Sequence, residues 1–326
     1  DDNGDTNGNP TLLNITMYAM LAVFVMIQIA ICWRIFQYVN GIEYTGATAS
    51  FLGMTYYTGI TGAQLVGAVV SSGIFAGIGI IYGHELAHTK GFSFLIARWM
   101  MGLSGSAHFC YAHVYNHHLE LGCENDPATA PRGRSLYAHL PKSHFGQSKF
   151  LYTMEKQRLK RLGVPFLSWQ NRWIRGYAMS LPTIALFWYV GAWTGMACLG
   201  LIWLISNFEL EALNYLEHYG LIRENGSPID YRHSWDNSTM FTSWFFIEIG
   251  RQADHHDRGE THFWELDEVG APNCGNGYFT LFALALFPPL FHKYMEQQLE
   301  KWDNEEASEG ELKIAKEMNA IAGYSQ

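Results

Sequence analysis

The sequence contains no C-x-x-C pair. Its five cysteines, Cys32, Cys110, Cys123, Cys198 and Cys274, lie scattered along 326 residues. That excludes a disulfide framework, a cysteine-held iron–sulfur cluster and a fused rubredoxin-like module. Any electrons that a reaction here consumes must come from another protein. Charge is also scarce, at 16% of residues, and whole stretches lack it. Residues 58–83 carry no charged side chain, residues 11–39 carry only Arg34, and residues 176–216 carry none before Glu209. Basic residues are in deficit, with a net charge of −9, so nothing points to a nucleic-acid partner. The opening DDNGDTNGNP is polar and acidic, and no cleavable signal peptide is recognisable in it.

The uncharged runs decide the fold class. A membrane-spanning helix needs about 20 predominantly apolar residues. Spans are therefore expected near 11–39, 58–83, 176–193 and 195–216, the last two turning near Gly191–Gly195. Residues 94–107 and 278–291 read as shorter interfacial or re-entrant pieces, the second interrupted by Pro288 and Pro289. A large soluble helical core is the competing reading, but uncharged runs of this length are rare in soluble helices. The expectation is an all-α integral-membrane helical bundle that forms one domain over 1–326. Between Lys142 and Arg175 stand eight basic residues and one acid, Glu155, whereas 40–57 has no basic residue. By the positive-inside rule, 84–175 and 217–326 face the cytoplasm. The first ten residues share that side, and a bacterial inner membrane is the expected location.

Fourteen histidines are present, and most are grouped just outside the apolar runs. His84-Glu85-Leu86-Ala87-His88 ends the second span, and on a helix the i and i+4 imidazoles share a face. His113-Val-Tyr-Asn-His117-His118 repeats that spacing and adds a third ring. Asp254-His255-His256 forms a third group, and His218 follows the last span. H-E-x-x-H alone suggests an intramembrane zinc protease with Glu85 as general base. A single zinc, however, takes about three protein ligands, and at least seven clustered histidines lie on one side of one membrane. Two metals can use them, and imidazole suits iron, copper and zinc alike. Glu85, Glu217 and Asp254 are placed to accept the second ring N–H of ligating histidines. Glu120, Glu124 and Asp126 are placed to orient the loop after the second group.

HELAH, HVYNHH, NYLEHYGL (Asn214 to Leu221) and DHH, interleaved with spans, resemble the membrane-bound alkane and xylene monooxygenases, within the histidine-rich diiron desaturases and hydroxylases. The resemblance covers nearly the whole chain, and NYLEHYGL sets it apart from fatty-acid desaturases. His233-Ser-Trp235 is a further landmark. Ala112, the short linker from Leu221 to His233, Thr261-His-Phe-Trp-Glu-Leu266 and the tail (Trp302-Asp303, Gly310-Glu-Leu312, Asn319, Ala322-Gly323) favour the xylene branch.

The resemblance implies a fatty-acid hydroxylase/desaturase-like fold with a cytoplasmic diiron site. The implied iron ligands are His84, His88, His113, His117, His118, His218, His255 and His256, with His233 and His262 as orienting residues. It implies two non-haem irons and O₂, with no bound flavin or haem. The electron donor is then a separate reductase or a rubredoxin- or ferredoxin-type protein. The reaction is hydroxylation of an unactivated C–H, terminal or benzylic, of a small apolar hydrocarbon.

Two departures stand out. The family's third box reads H-x-x-H-H, but here Gln252 holds the first position. It binds iron through its amide oxygen, acts through a water, or leaves one iron short of a ligand; His262 is the candidate substitute. Family members also carry an extra membrane hairpin before the segment that begins here. The competing functions are a lipid desaturase-type oxidase, the zinc protease, and a metal-poor relative with a structural role. Expected substrate-channel walls are Ile74, Phe75, Ile78 and Ile81, with Leu201, Leu204, Ile205 and Phe208. Lys156, Arg158, Lys160 and Arg161 form a candidate dock for an acidic donor, or an anchor for anionic headgroups.

Overall fold

The computed structural model describes residues 9–51 and 53–324. The side of the membrane taken by residues 1–8 lies outside them. The helix α1 (Pro10–Val39) begins at Asn9, whose side chain accepts from the N–H groups of Thr11 and Leu12, with Pro10 in the first turn. The chain then makes a two-stranded hairpin, β1 (Thr48–Phe51) with β2 (Met54–Tyr57), an addition to the all-α expectation. Arg34 near the end of α1 reaches the carbonyl of Tyr57 at 3.1 Å and ties that hairpin to the bundle.

The helix α2 (Gly62–Ala87) starts at a capping box between Thr61 and Gln64. It is the central helix, packed on α1, on α3 (Gly91–Leu103) and on α8 (Leu181–His218). Glycines make this possible, because helices in lipid associate by close packing of small residues. A Cβ at Gly73 would lie 2.7 Å from Cβ of Ile205, and one at Gly83 would lie 3.0 Å from the Met101 side chain. Tyr18 near the start of α1 bonds Ser93 of α3 at 2.7 Å, so the start of α1 lies at the histidine end of α2.

The long apolar run after residue 171 holds α7 (Arg172–Ala178) and then α8, which breaks at Ala192 (φ 43°, ψ −126°). A Cβ on Gly195 would fall 2.0 Å from the carbonyl oxygen of Phe187. Residues eight apart are about 12 Å apart on a straight helix, so the chain folds back here, between Gly191 and Gly195. Ser180 and Trp203 both bond the end of α3, at Gly102 and Leu103, as the two arms of a hairpin would. Three stretches, Pro10–Val39, Gly62–Ala87 and Arg172–His218, are long and apolar enough to cross a membrane. Residues 94–107 fall largely in α3. The run 278–291 divides into α11 (Tyr278–Ala285) and the start of α12 (Pro288–Glu305).

The remaining elements gather at the histidine end. They are α4 (Phe109–Ala112), a π-helical turn His113–His117, α5 (His118–Glu120), α6 (Leu136–Arg161), α9 (Met240–Phe245), α10 (Gln252–Asp257) and α13 (Glu309–Ala322). Buried arginines stitch them together. Arg132 forms a two-pronged pair with Asp303 at 2.7 Å and bonds the carbonyl of Gly220 and Oδ1 of Asn319. Arg223 reaches back to the carbonyls of Leu119 and Leu121. A charged group at such depth is tolerated because each guanidinium nitrogen donates to a partner. All five cysteines are free and buried.

Candidate metal centre

The end of α2 supplies His84 and His88, the π turn supplies His113 and His117, and α5 begins at His118. The end of α8 supplies His218, and α10 supplies His255 and His256. A π turn adds a residue to one helical turn and is common at functional sites. Here it lies between the rings of the second box.

The rings form two groups. His84, His88, His113 and His255 offer one nitrogen each, all within 4.8 Å of one another, and so do His117, His218 and His256. His118 lies between the groups, its ring 4.5 Å from that of His88 and 4.3 Å from that of His256. Nε2 of His113 stands 3.1 Å from Nε2 of His88 and 3.0 Å from Nε2 of His118. A neutral imidazole carries one N–H, so each of these nitrogens can present a lone pair inward when its ring holds that proton on the other nitrogen. Both nitrogens of His218 and His256, and Nε2 of His255, are buried without a protein partner. Such groups are costly unless something satisfies them. Two cations, one per group, would satisfy one nitrogen of each ring, and an all-imidazole donor set fits a transition metal.

The electrostatics agree with neutral ligands. Burial, reinforced by neighbouring imidazoles, holds His88, His113, His118 and His256 well below the ordinary histidine range. His255 is pushed down to about 4 by burial and by His117, against the pull of Asp254. Neutral imidazole is the form that binds a metal.

The orienting carboxylates are distributed differently from expectation. Asp126 accepts from Nδ1 of His117 at 2.7 Å, from Thr129 Oγ1 at 2.6 Å and from the Ala128 N–H at 3.0 Å. Burial raises its pKa, but His117 and these bonds bring it down to about 2. Asp254, expected on a ligating ring, instead pairs with Arg258 and accepts from the Asp267 N–H. Glu85 accepts from the Phe263 N–H at 3.1 Å and faces His262 at 3.7 Å. His262 stacks on Trp264 at 4.3 Å and belongs to neither histidine group. His233 receives the Asp230 N–H on Nδ1 and bonds Glu311 at 2.7 Å through Nε2. It therefore clamps α13, while its neighbour Trp235 donates to the carbonyl of Tyr219 at 2.9 Å and bonds the end of α8. Glu120 and Glu124 make no side-chain bond to a histidine of either group, among the described residues.

Gln252 is buried on α10, its amide nitrogen donating to the carbonyl of Ile249 at 2.7 Å. The Glu217 carboxylate lies beside both the Gln252 amide and the Tyr278 hydroxyl, and its Oε1 has no bonded partner.

Several residues escaped the sequence reading. Asp236 accepts the Ala253 N–H at 2.8 Å and so fixes the first turn of α10. His108, His139 and His144 are further histidines outside the two groups. The rings of His108 and His144 are 4.6 Å apart, and Gln147 nearby bonds Glu211 at 3.1 Å. No short-range motif marks these positions: His139, His144 and Gln147 lie within α6, Glu211 lies within α8, His108 stands in the turn before α4, and Asp236 sits in an isolated bridge with Asn273.

Of the expected channel residues, Ile74, Ile78 and Ile81 line an apolar cavity of about 240 Å³ between α2, α8, α9 and α11. Phe75 and Leu204 are instead exposed on the outer surface, and Phe208 packs on Phe282. The cavity shares Gly77, Ile81 and Leu213 with a narrow space bounded by His84 and Glu217.

Residues 61–284 match the fatty acid desaturase family. The chain is 29% identical to the alkane 1-monooxygenase of Acinetobacter baylyi over 81% of its length, covering 69% of that protein. It is 33% identical to alkane 1-monooxygenase 2 of Pseudomonas aeruginosa over 72% of its length, and spans 64% of that protein. It is 30% identical to the xylene/toluene monooxygenase hydroxylase component of Pseudomonas putida over 80% of its length, covering 72% of that protein. The two kinds of relative stand in one range of identity, so the lean towards the xylene branch drawn from Ala112 and the tail is not reproduced by overall similarity.

Proposed function

The chain belongs to the fatty acid desaturase family, and on that footing we propose that it is a membrane monooxygenase that hydroxylates a small hydrocarbon at a diiron centre. The observation that carries this reading is the convergence of eight histidines, six buried and two (His88 and His118) half-buried, from four separate segments into two adjoining groups, at the end of an apolar bundle. His84, His88, His113 and His255 would hold one iron, and His117, His218 and His256 the other, with His118 between them. Bound there, the irons would supply reduction of O₂ and insertion of one oxygen atom into a C–H bond, with two electrons and two protons taken up and water released.

The chain's own contribution is positional. Asp126 orients His117, Asp236 fixes α10, and Trp235 pins the end of α8. The shell of buried side chains excludes water from the rings. The apolar cavity between α2 and α8 receives the substrate. At about 240 Å³ it falls near the lower end of ligand pockets, roughly 300–1,000 Å³, which favours a small hydrocarbon over a long lipid chain.

The electrons come from a separate redox protein. Arg158 is committed to Glu155 at 2.7 Å, so Lys156, Lys160 and Arg161 remain to dock it, with the centre on the cytoplasmic side of a bacterial inner membrane. Residues 84–175 and 217–326 then act as the metal-binding regions of one hydroxylase domain. Elemental analysis of the purified protein tests the reading, with two irons per chain expected. A single zinc would overturn it in favour of the H-E-x-x-H protease. Product analysis with O₂, a redox partner and candidate hydrocarbons should give alcohols; alkenes would show desaturation instead.

A further inference from the structure

One carboxyl group stands far from the histidines, in the apolar part of the bundle. Glu209 on α8 points at α2, where Gly77 leaves a notch: a Cβ at Gly77 would lie 1.8 Å from its Oε2. Among the described residues, no hydrogen bond or ion pair from the protein reaches this carboxyl. It lines the 240 Å³ cavity, whose other walls include Ile74, Ile78, Leu216, Phe246 and Phe279. An ionisable side chain at membrane depth is costly, and such residues in general mark a ligand or ion path with a partner to match.

The position of the carboxyl sets the geometry. Gly77 precedes His84 by seven residues and Glu209 precedes Glu217 by eight. At a rise of 1.5 Å per residue this places Glu209 about 10–12 Å from the histidine end along the bundle. The cavity narrows towards His84 through Gly77, Ile81 and Leu213. A molecule lying between Glu209 and the histidines therefore presents one end to a hydrogen-bonding group and the other to the metal centre.

Resting on the monooxygenase reading, we propose that the cavity binds a hydrocarbon bearing a terminal hydroxyl, which Glu209 holds by hydrogen bond so that the carbon at the opposite end is oxidised. Glu209 is then a specificity-determining residue. In the step, a C–H bond of the far methyl is replaced by C–OH using one atom of O₂. The other atom leaves as water after taking two electrons from the redox partner and two protons from solvent. A site built to bond a hydroxyl discriminates against a molecule that lacks it.

The probes are 1-octanol and n-octane, with the full-length iron-loaded protein. Infrared difference spectra should show a carboxyl band that moves on adding 1-octanol, does not move with n-octane, and is missing in Glu209→Gln. In turnover, the parent should convert 1-octanol to the 1,8-diol. Glu209→Leu should raise the ratio of KM for 1-octanol to KM for n-octane about tenfold and lower the diol share. If no carboxyl band responds, or if the KM ratio and product distribution are the same in Glu209→Leu, the assignment of Glu209 falls while octane hydroxylation leaves the monooxygenase reading standing. A responsive band with neither compound oxidised would overturn the monooxygenase reading and retain Glu209 as a hydroxyl-binding residue.

Discussion

Asp126 accepts a 2.7 Å hydrogen bond from Nδ1 of His117, and both side chains are buried. The bond places the ring proton on Nδ1 and turns Nε2 towards His218 and His256. Groups that orient a metal-bound histidine in this way typically contribute 10–100-fold to metal affinity. Asp126→Asn, which keeps the shape and removes the charge, should weaken iron binding by about that factor. Iron retention during titration with a chelator measures it; unchanged retention would show that the pair only supports the loop.

His117→Ala and His255→Ala each remove one nitrogen from a different group. Each variant should lose turnover entirely and retain less than the full iron content. Full turnover in either would refute the assigned site.

Gln252 stands at the start of α10, beside Glu217. Gln252→His would add an imidazole next to His256 on the following turn, since residues i and i+4 share a helix face. Iron occupancy, by elemental analysis of parent and variant purified together, should stay equal or rise. A clear drop would mean that the glutamine amide has a task that imidazole cannot perform.

Gly73 lies where α2 packs against α8, with Cβ of Ile205 only 2.7 Å from where a Cβ would be. Gly73→Val should destabilise the bundle by about 1–3 kcal/mol through overpacking. Thermal unfolding in detergent reads this directly, and a midpoint equal to that of the parent would show that the helices move apart without cost.

Glu311 accepts from His233 at 2.7 Å and from Arg232 at 3.0 Å. Burial raises its pKa, yet these partners bring it down from about 4.5 to about 2. Because the folded value is the lower one, its contribution is complete above pH ~4.5 and fades as pH falls towards ~2. Glu311→Gln should lower stability at pH 7 by about 2–3 kcal/mol, and the gap to the parent should shrink between pH ~4.5 and ~2. A gap independent of pH would mean that charge contributes nothing to the clamp on α13.

Much of the architecture was legible because lipid simplifies the code. An apolar run near 20 residues with no charge has few alternatives to a spanning helix, and most of 58–83 falls in α2, which starts and ends four residues later. The i, i+4 spacing of His84 with His88, and of His113 with His117, was equally direct, since helical geometry maps spacing onto a face. The small hairpin after α1 was not legible, because residues 48–57 are too short and mixed to carry a strong period.

What the sequence determined by itself is the set of chemical groups: which runs enter the membrane and which histidines stand at their ends. Only the tertiary structure decided how those groups pair. It divided the rings into four and three with His118 between, gave His117 to Asp126, turned Asp254 to Arg258, and set Glu209 over Gly77 in an apolar cavity. The physical reason is that each of these relationships joins segments far apart in the chain. Spacing rules reach only one or two helical turns, and beyond that, packing selects the neighbour.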